Sequence, residues 1–221
     1  MKERPILFSA PMVRALLEGT KTQTRRPVKP QPPADAPLIY VGRYAPALID
    51  RRGEMYPGED VFGAEFDDGS DGAWCIKCPY GAPGDRLWVK ETIRLLPEFE
   101  PESEHAVSEF SADGEITKAD AWPWKRRVLP SIHMPRGLSR ITLEITEVRV
   151  ERLCRISDDD ARAEGVEKTS QRGWRDYGLD LPNAQPHAPG SFASLWGSIN
   201  GIGSWSANPW VWVLTFKRVT P

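Results

Sequence analysis

Three segments of the chain are predicted to be β-strands, two from the alternation of hydrophobic and polar residues and one from a continuous run of bulky apolar residues. The longest segment is SRITLEITEVRVERL (139–153), in which isoleucine and leucine occupy every second position at the start. GDRLWVKETI (84–93) follows a Gly-Asp turn with the same alternation. The closing segment NPWVWVLTFKRV (208–219) has bulky residues on both faces, which predicts a strand covered on both sides.

Helical spacing appears in three short segments, each with a recognisable start or end. Ser9 is a candidate N-cap, and Gly19 is the natural end of the helix between them. Ser157 can cap a second helix whose first turn holds three aspartates and which Gly165 ends. Residues 191–199, SFASLWGSI, place four apolar side chains at i, i+3, i+4 and i+7, which predicts a third helix.

The order of these elements favours a mixed α+β fold. There is no 30-residue βαβ rhythm and no internal repeat, so we expect a small mixed β-barrel with short helices at its openings. The polar, acidic or proline-rich stretches between them predict loop-rich insertions, the first with a hairpin or two. We therefore interpret residues 1–221 as one domain with insertions at about 28–80, 96–122 and 167–190.

Composition and charge narrow the classes of partner. The net charge of the 221 residues is −2, which excludes binding of nucleic acid through overall positive charge. Residues 1–30, however, hold seven lysines and arginines against two glutamates, so a local polyanion contact remains open. The three cysteines argue against a disulfide framework, and no segment has the length of a membrane span. We expect a cytoplasmic protein, and the sequence leaves its oligomeric state open.

Two of the cysteines form a Cys75-x-x-Cys78 pair that could be read as half of a zinc site. A zinc site needs two further ligands, and the remaining candidates are Cys154 and three separate histidines. No second cysteine pair or paired histidine is present. We therefore expect no metal and no cofactor.

The stretch EGTKTQTRR (18–26) concentrates hydroxyls and positive charge. A threonine hydroxyl attacks a carbonyl only with help from a base, and Lys21 could serve Thr24 if it were neutral. Burial and the adjacent Arg25 and Arg26 would both lower the lysine pKa. In a regular strand, however, residues three apart point to opposite faces. The alternative is a solvated edge strand whose cations prevent pairing with other chains.

This stretch resembles the G-x-K-x-x-x-x-R signature of the ASCH superfamily, carried here by Gly19, Lys21 and Arg26. ILFSAPMVRALLEGTKTQTRR together with SIHMPRGLSRITLEITEVRVERL is similar to the phage- and prophage-encoded branch of that superfamily. The resemblance implies a PUA-like β-barrel. It covers most of residues 5–30, 80–95, 125–165 and 190–219.

One bacterial branch of the superfamily hydrolyses acetylcytidine and related acylated cytosines, although its members are shorter than this chain. Carried over to matching positions, the resemblance implies Lys21 as the base, Thr24 as the nucleophile and Glu164 as the proton donor. Glu164 could instead be a solvated residue before a helix-ending glycine, in which case Glu91 is the substitute acid. The substrate-binding candidates are Gly19, Arg25, Arg26 and Glu91.

A second candidate function rests on WPWKRRVLPSIHMPR (122–136), which interleaves aromatic residues and cations without an acid. Aromatic faces can stack on bases for roughly 1–3 kcal/mol each, and cations can bind phosphate. The alternative is that the tryptophans cover the protein core and the cations face water. The expected partner is a modified nucleoside or single-stranded nucleic acid, with RNA favoured; a phage accessory protein acting through protein contacts is the third hypothesis. The candidate residues are Trp122, Trp124, Lys125, Arg126, Arg127 and Arg136.

Overall fold

The structure is a computed structural model that describes residues 1–32, 41–44, 48–49, 55–56, 61–64, 74–119, 122–169, 173–178 and 181–219. The chain divides into two compact units. The first unit comprises residues 1–22, 84–145 and 216–221, and the second comprises residues 23–83 and 146–215. Within the described ranges, no helix combines the length and the apolar character needed to cross a lipid bilayer.

The described residues form short helices and many short strands. In chain order they are β1 (Glu3–Leu7), α1 (Ala10–Leu17), β2 (Gln23–Pro27), β3 (Val41–Tyr44), β4 (Leu48–Ile49), β5 (Met55–Tyr56), β6 (Val61–Ala64), β7 (Trp74–Ile76), β8 (Arg86–Lys90), β9 (Ile93–Leu95), β10 (Ala106–Phe110), β11 (Ile116–Ala119), β12 (Val128–Leu129), β13 (Thr142–Arg152), α2 (Asp158–Ala163), β14 (Trp174–Asp176), β15 (Leu181–Gln185), α3 (Ala188–Asn200) and β16 (Trp210–Val219).

In the first unit, β8 lies between β1 and the start of β13. β1 runs parallel to β8, with Glu3 opposite Arg86, and β13 pairs antiparallel with β8 on its other side. Leu87 and Val89 are fully buried while their neighbours along β8 are partly exposed. This alternation confirms the strand predicted from GDRLWVKETI.

The first unit also contains a four-stranded sheet in the order β11-β10-β9-β12. Part of it lies in the segment 96–122, which the sequence predicted to be a loop-rich insertion. The predicted loop character is wrong, because Ala106, Ser108 and Phe110 alternate inward along β10 and Trp122 is fully buried, whereas the assignment as an insertion stays a prediction. The hydrophobic cluster under this sheet consists of Ile93, Leu95, Ala106, Phe110, Trp122, Leu129 and Met134.

In the second unit, β16 pairs antiparallel with β2, and β13 is its other neighbour in the hydrogen-bonding order. The register places Leu214 opposite Thr24 and Val213 opposite Arg25. The four consecutive side chains of 211–214 are all buried. This confirms that the closing strand is covered on both faces, and it makes β2 a neighbour of a dry core strand.

The helices of the sequence prediction are present. Gly19 and Gly165 end the first two with φ values of 77° and 80°, in the left-handed region that glycine tolerates. The Ser157 side chain accepts a hydrogen bond from the backbone N–H of Asp160, so this cap is also confirmed. α3 begins at Ala188, three residues earlier than predicted.

Two of the predicted insertions contain short hairpins. β14 and β15 pair antiparallel within 167–190, so the prediction that this segment is only loop is wrong. Within 28–80, β3, β6 and β7 form one small sheet and β4 pairs with β5, in line with the predicted hairpins. The predicted mixed α+β class is confirmed, and the strands of the described ranges do not form a closed barrel. The single-domain assignment stays a prediction.

Candidate functional site

Arg25 lies at the centre of a buried polar network in the second unit. β2 carries its side chain inward beside β16, and that side chain is 0% exposed. All five N–H groups of its guanidinium donate hydrogen bonds. The acceptors are Glu151 Oε1 (3.1 Å from Nε and 2.5 Å from Nη2), Gln23 Oε1 (2.6 Å), Asp160 Oδ2 (3.0 Å) and Glu164 Oε1 (3.3 Å).

The three carboxylates of this network come from β13, α2 and the residue that ends α2. A second cation, Arg149, donates to both oxygens of Asp160 at 3.1 and 2.9 Å and to Glu151 at 3.3 Å. Burial by itself raises the pKa of Asp160, but the hydrogen bond from Gln23 and the charges of Arg25 and Arg149 outweigh it, so the net pKa is lowered.

This geometry changes the role of Arg25. The sequence predicted a substrate-binding arginine, but every one of its donors is already bonded within the protein. A phosphate or base would have to displace one of these bonds in a buried site. Arg25 therefore positions Glu164 and Asp160, and it does not present a free guanidinium to a ligand.

The other candidates of the second unit are also placed by β2 and α2. Thr24 is buried on β2, and Glu164 is 3% exposed at the C-cap position of α2. Burial lowers the pKa of the half-buried Arg26, while the charges of Tyr80 and Glu164 act in the opposite direction. The structure thus brings Arg25 and Glu164 into contact and places Arg26 within electrostatic reach of Glu164. The solvated alternative for Glu164 is wrong.

Lys21 belongs to the first unit, where it follows the end of α1. It is 3% exposed, its Nζ lies 5.5 Å from the centroid of the Phe8 ring, and its backbone N–H donates to Ala15 O at 3.0 Å. Gly19 is exposed and supplies the left-handed turn that leads into this segment. The solvated-edge alternative is wrong for Lys21, and its predicted partnership with Thr24 and Glu164 stays a prediction.

Glu91 is the buried acid of the first unit. It follows β8, is 1% exposed, and receives a bidentate pair of hydrogen bonds from Arg140, at 3.0 Å to Oε1 and 2.8 Å to Oε2. Arg140 also donates to both oxygens of Asp113 and to Glu115, so its five N–H groups are all used. Its guanidinium carbon lies 3.8 Å from the centroid of the Phe110 ring.

The electrostatics of this cluster oppose ionisation of Glu91. Burial raises its pKa most, Asp113 and Glu115 raise it further, and the hydrogen bonds and charge of Arg140 only partly compensate. A buried acid whose pKa is raised, in contact with a specific charged partner, is a candidate functional residue.

A cavity of about 90 Å³ opens beside Glu91, within the first unit. Phe8 supplies an aromatic wall, and the start of α1 supplies apolar contacts. The hydroxyl of Ser111 is buried and has no hydrogen-bond partner among the described residues. Four hydroxyl-bearing residues line the cavity: Ser9, Thr92, Ser111 and Ser131.

The segment 122–136 divides into buried aromatic and exposed basic residues. Trp122 is 0% exposed, its Nε1 donates to Arg126 O at 2.9 Å, and Trp124 packs edge-on against it at 4.8 Å. The Trp122 ring is therefore part of the core, and the prediction that it stacks on a base is wrong. Lys125 and Arg126 are exposed. The other two arginines form ion pairs: Arg127 with Glu100, and Arg136 with Glu3.

The cysteines form no site within the described ranges. Cys78 is buried and Cys154 exposed, both as free thiols, and the Cys75 side chain lies outside the described residues. In the same ranges, no three His, Cys, Asp or Glu side chains are grouped so that they could hold a metal ion.

The partners of these buried acids could not be identified from local sequence patterns. Arg140 is at the start of the predicted strand segment 139–153, and Asp160 is the third of three consecutive aspartates, so neither differs in pattern from a solvated charge. Arg149 and Glu151 alternate along β13 with a period of two, which places them on one face, and this is the sequence signal for these two members of the network.

Comparisons with known proteins do not extend this description. No protein-family model matches the chain, and neither a curated protein nor a solved structure matches it.

Proposed function

We propose that the chain is an ASCH-type protein with a PUA-like fold that binds a cytidine-type nucleoside and hydrolyses an acyl group from its exocyclic amine. The observation that best supports this proposal is the burial of the three polar side chains to which the resemblance assigns catalytic roles. Lys21, Thr24 and Glu164 are each 3–4% exposed. Burial of ionisable and hydroxyl groups costs free energy. Buried groups of this kind are concentrated at functional sites.

The order of elements supports the same proposal. The short helix α1, the strand β2, the long strand β13 and the helix α2 follow one another as the resemblance requires. Arg25 supports the role of Glu164, because its N–H at 3.3 Å fixes the orientation of that carboxyl group. A fixed carboxyl group is what proton transfer to a departing amine needs.

The reaction, as the resemblance implies it, has two stages. Lys21 removes the hydroxyl proton of Thr24, whose oxygen bonds to the acyl carbon while the bond from that carbon to the exocyclic nitrogen breaks. Glu164 protonates the departing amine. Water then attacks the acyl carbon of the threonyl ester, the bond to the threonine oxygen breaks and that oxygen takes the proton of the water. The carboxylic acid leaves, Lys21 releases its extra proton to solvent, and Glu164 takes one up from solvent, which restores the enzyme.

The experiment is an assay of cytidine release from acetylcytidine by the purified chain. We expect Lys21→Met and Thr24→Val to abolish turnover. Lys29→Met and Thr22→Val are the matched controls, because both residues are exposed, and they should leave turnover intact. Absence of turnover on a panel of acylated cytosines, or turnover that survives the first two variants, would reject the proposal.

A second candidate, binding of single-stranded RNA without catalysis, is favoured by one observation. Lys125 and Arg126 are exposed and have no carboxylate partner among the described residues, so both can bind phosphate. RNA affinity should then fall steeply with salt and weaken in a Lys125→Ala/Arg126→Ala double variant. Arg94→Ala, also at an exposed arginine, is the control. Affinity that is independent of salt, or unchanged in the double variant, counts against this candidate.

A further inference from the structure

The outward face of β1 and β8 in the first unit carries a strip of apolar side chains. The register places Pro5 opposite Trp88 and Leu7 opposite Lys90. These pairs alternate with more buried pairs along both strands, so they share the outward face. Leu7 is 45% exposed, Pro5 is exposed and Trp88 is half-buried. Contiguous apolar groups on a solvent-facing surface, bordered by polar residues, are typical of an interaction surface.

A neighbouring turn extends this apolar strip. Lys90 Nζ donates a hydrogen bond to Ile132 O, which holds the turn Ser131–His133 against β8. The Ile132 side chain is 61% exposed. Nζ also lies 5.5 Å from the centroid of the Trp88 ring. The ammonium group of Lys90 is therefore held within the apolar strip.

The charges of the same face leave a surplus of cations. Its two acids already have partners: Glu3 pairs with Arg136 at 3.0 Å, and Glu144 pairs with Lys217 at 2.9 Å. Arg86 lies opposite both acids in the strand register. In the described part of the chain, however, neither Arg86 nor Lys90 forms an ion pair with a carboxylate. The face is thus complementary to an anionic partner.

The chemistry of the face favours a protein over a nucleic acid. Exposed aliphatic side chains pack against apolar side chains of a protein, whereas a phosphate backbone is bound by cations and hydrogen-bond donors. The Lys90 ammonium lies over the Trp88 ring, so a base could stack there only by displacing it. Glu3 and Glu144 would repel a continuous run of phosphates. Carboxylates spaced along a protein segment can approach Lys90 and Arg86 separately.

We infer that the outward face of β1 and β8 is a docking surface for an acidic protein segment. Apolar side chains of that segment pack on Pro5, Leu7 and Trp88, and its carboxylates pair with Lys90 and Arg86. The face contains none of the three buried residues proposed for hydrolysis, so this interaction is independent of the proposed function.

The test is selection of short random peptides on the immobilised full chain, followed by synthesis of an enriched peptide. We expect the selected peptides to be enriched in aspartate and glutamate, with apolar residues between them. Fluorescence polarisation then gives the dissociation constant of the synthesised peptide. Its affinity should fall with added salt, because salt screens charge pairs at a surface.

Two double variants separate this face from the rest of the first unit. Leu7→Ser/Lys90→Gln removes one apolar contact and one cation, so we expect the dissociation constant to rise at least about tenfold. The matched control is Ile116→Ser/Arg94→Gln, which changes an aliphatic residue and an arginine that are 58% and 56% exposed in the four-stranded sheet of the same unit. It should leave the affinity unchanged. Urea denaturation checks that both double variants are folded.

Charge reversal tests for direct contact. Lys90→Glu should weaken binding of the acidic peptide and strengthen binding of the same peptide with lysine at its acidic positions, which a loss of folding would not do. This exchange, together with selective loss in Leu7→Ser/Lys90→Gln, supports the docking surface whether or not acetylcytidine is hydrolysed. A selection that yields no acidic peptide, or equal affinities of the two double variants, would overturn it. Displacement of the peptide by a single-stranded oligonucleotide that Leu7→Ser/Lys90→Gln no longer binds would overturn it in favour of nucleic acid.

Discussion

Arg25 in the second unit and Arg140 in the first have the same chemistry in different surroundings. Each uses all five N–H groups, and each binds three carboxylates. The Arg25 side chain is 0% exposed, whereas that of Arg140 is 14% exposed. The Arg25 network also contains a second arginine and a glutamine.

The two networks shift the pKa values of their acids in opposite directions. Asp160, bonded by Gln23 and two arginines, has a lowered pKa despite burial. Glu91 shares a single arginine with two other carboxylates, so burial prevails and its pKa is raised. The more complete network favours the ionised acid, whereas the network with one arginine for three carboxylates leaves its buried acid resistant to ionisation.

The largest expected effect is that of Arg25→Met. Removal of the guanidinium leaves Glu164, Asp160 and Glu151 without their shared partner in a buried site, which costs about 3–5 kcal/mol of unfolding free energy. Urea denaturation followed by circular dichroism measures this. Arg155→Met, at an exposed arginine of the same unit, is the matched control for a general effect of substitution. A loss below about 1 kcal/mol would show that the network contributes little to stability.

Arg140→Met should have a smaller effect, about 2–3 kcal/mol, because two of its three carboxylates keep contact with water. Most of that cost comes from Glu91, which would remain buried as an acid without a cation. Adding Glu91→Gln to Arg140→Met should therefore restore part of the lost stability, and a double-mutant cycle measures the restored part. If the two single losses simply add, Glu91 and Arg140 are not coupled as described.

These two clusters also show which features of the structure could be predicted from the sequence. The alternation in GDRLWVKETI, and the glycines that end α1 and α2, are local signals, and both predicted the elements correctly. Arg140 and Asp160 looked like surface charges, because nothing in a sequence shows which distant carboxylates a cation will meet. The burial of Trp122 was missed for the same reason: its core partners Ile93 and Leu95 lie far away in the chain.

The pH dependence of stability should differ in sign between the clusters. For Glu91, the folded state binds the proton more tightly than the unfolded state, so its contribution to stability is present at low pH. That contribution is lost as the pH rises from the ordinary glutamate range through the raised pKa. For Asp160, the contribution is present above the ordinary aspartate range and is lost as the pH falls through the lowered pKa.

Unfolding free energies of wild type, Glu91→Gln and Asp160→Asn between pH 3 and pH 8 would measure both signs. As the pH rises, the unfolding free energy of the wild type should fall relative to that of Glu91→Gln. At the acid end of this range, the unfolding free energy of the wild type should fall relative to that of Asp160→Asn as the pH decreases. If both differences changed in the same direction with pH, the two networks would not shift the pKa values of their acids in opposite directions.

The smallest effect is expected at an exposed ion pair of the first unit, Arg127 with Glu100. The two charges are 2.9 Å apart, as close as the bonds in either buried network, but their side chains are 43% and 81% exposed. Water competes for both groups and salt screens them, so Glu100→Gln should change the unfolding free energy by less than about 1 kcal/mol, and less at high salt. Distance alone would predict the same effect as at Arg140. A loss at Glu100 as large as that of Arg140→Met would mean that contact geometry, and not burial, sets the strength of these networks.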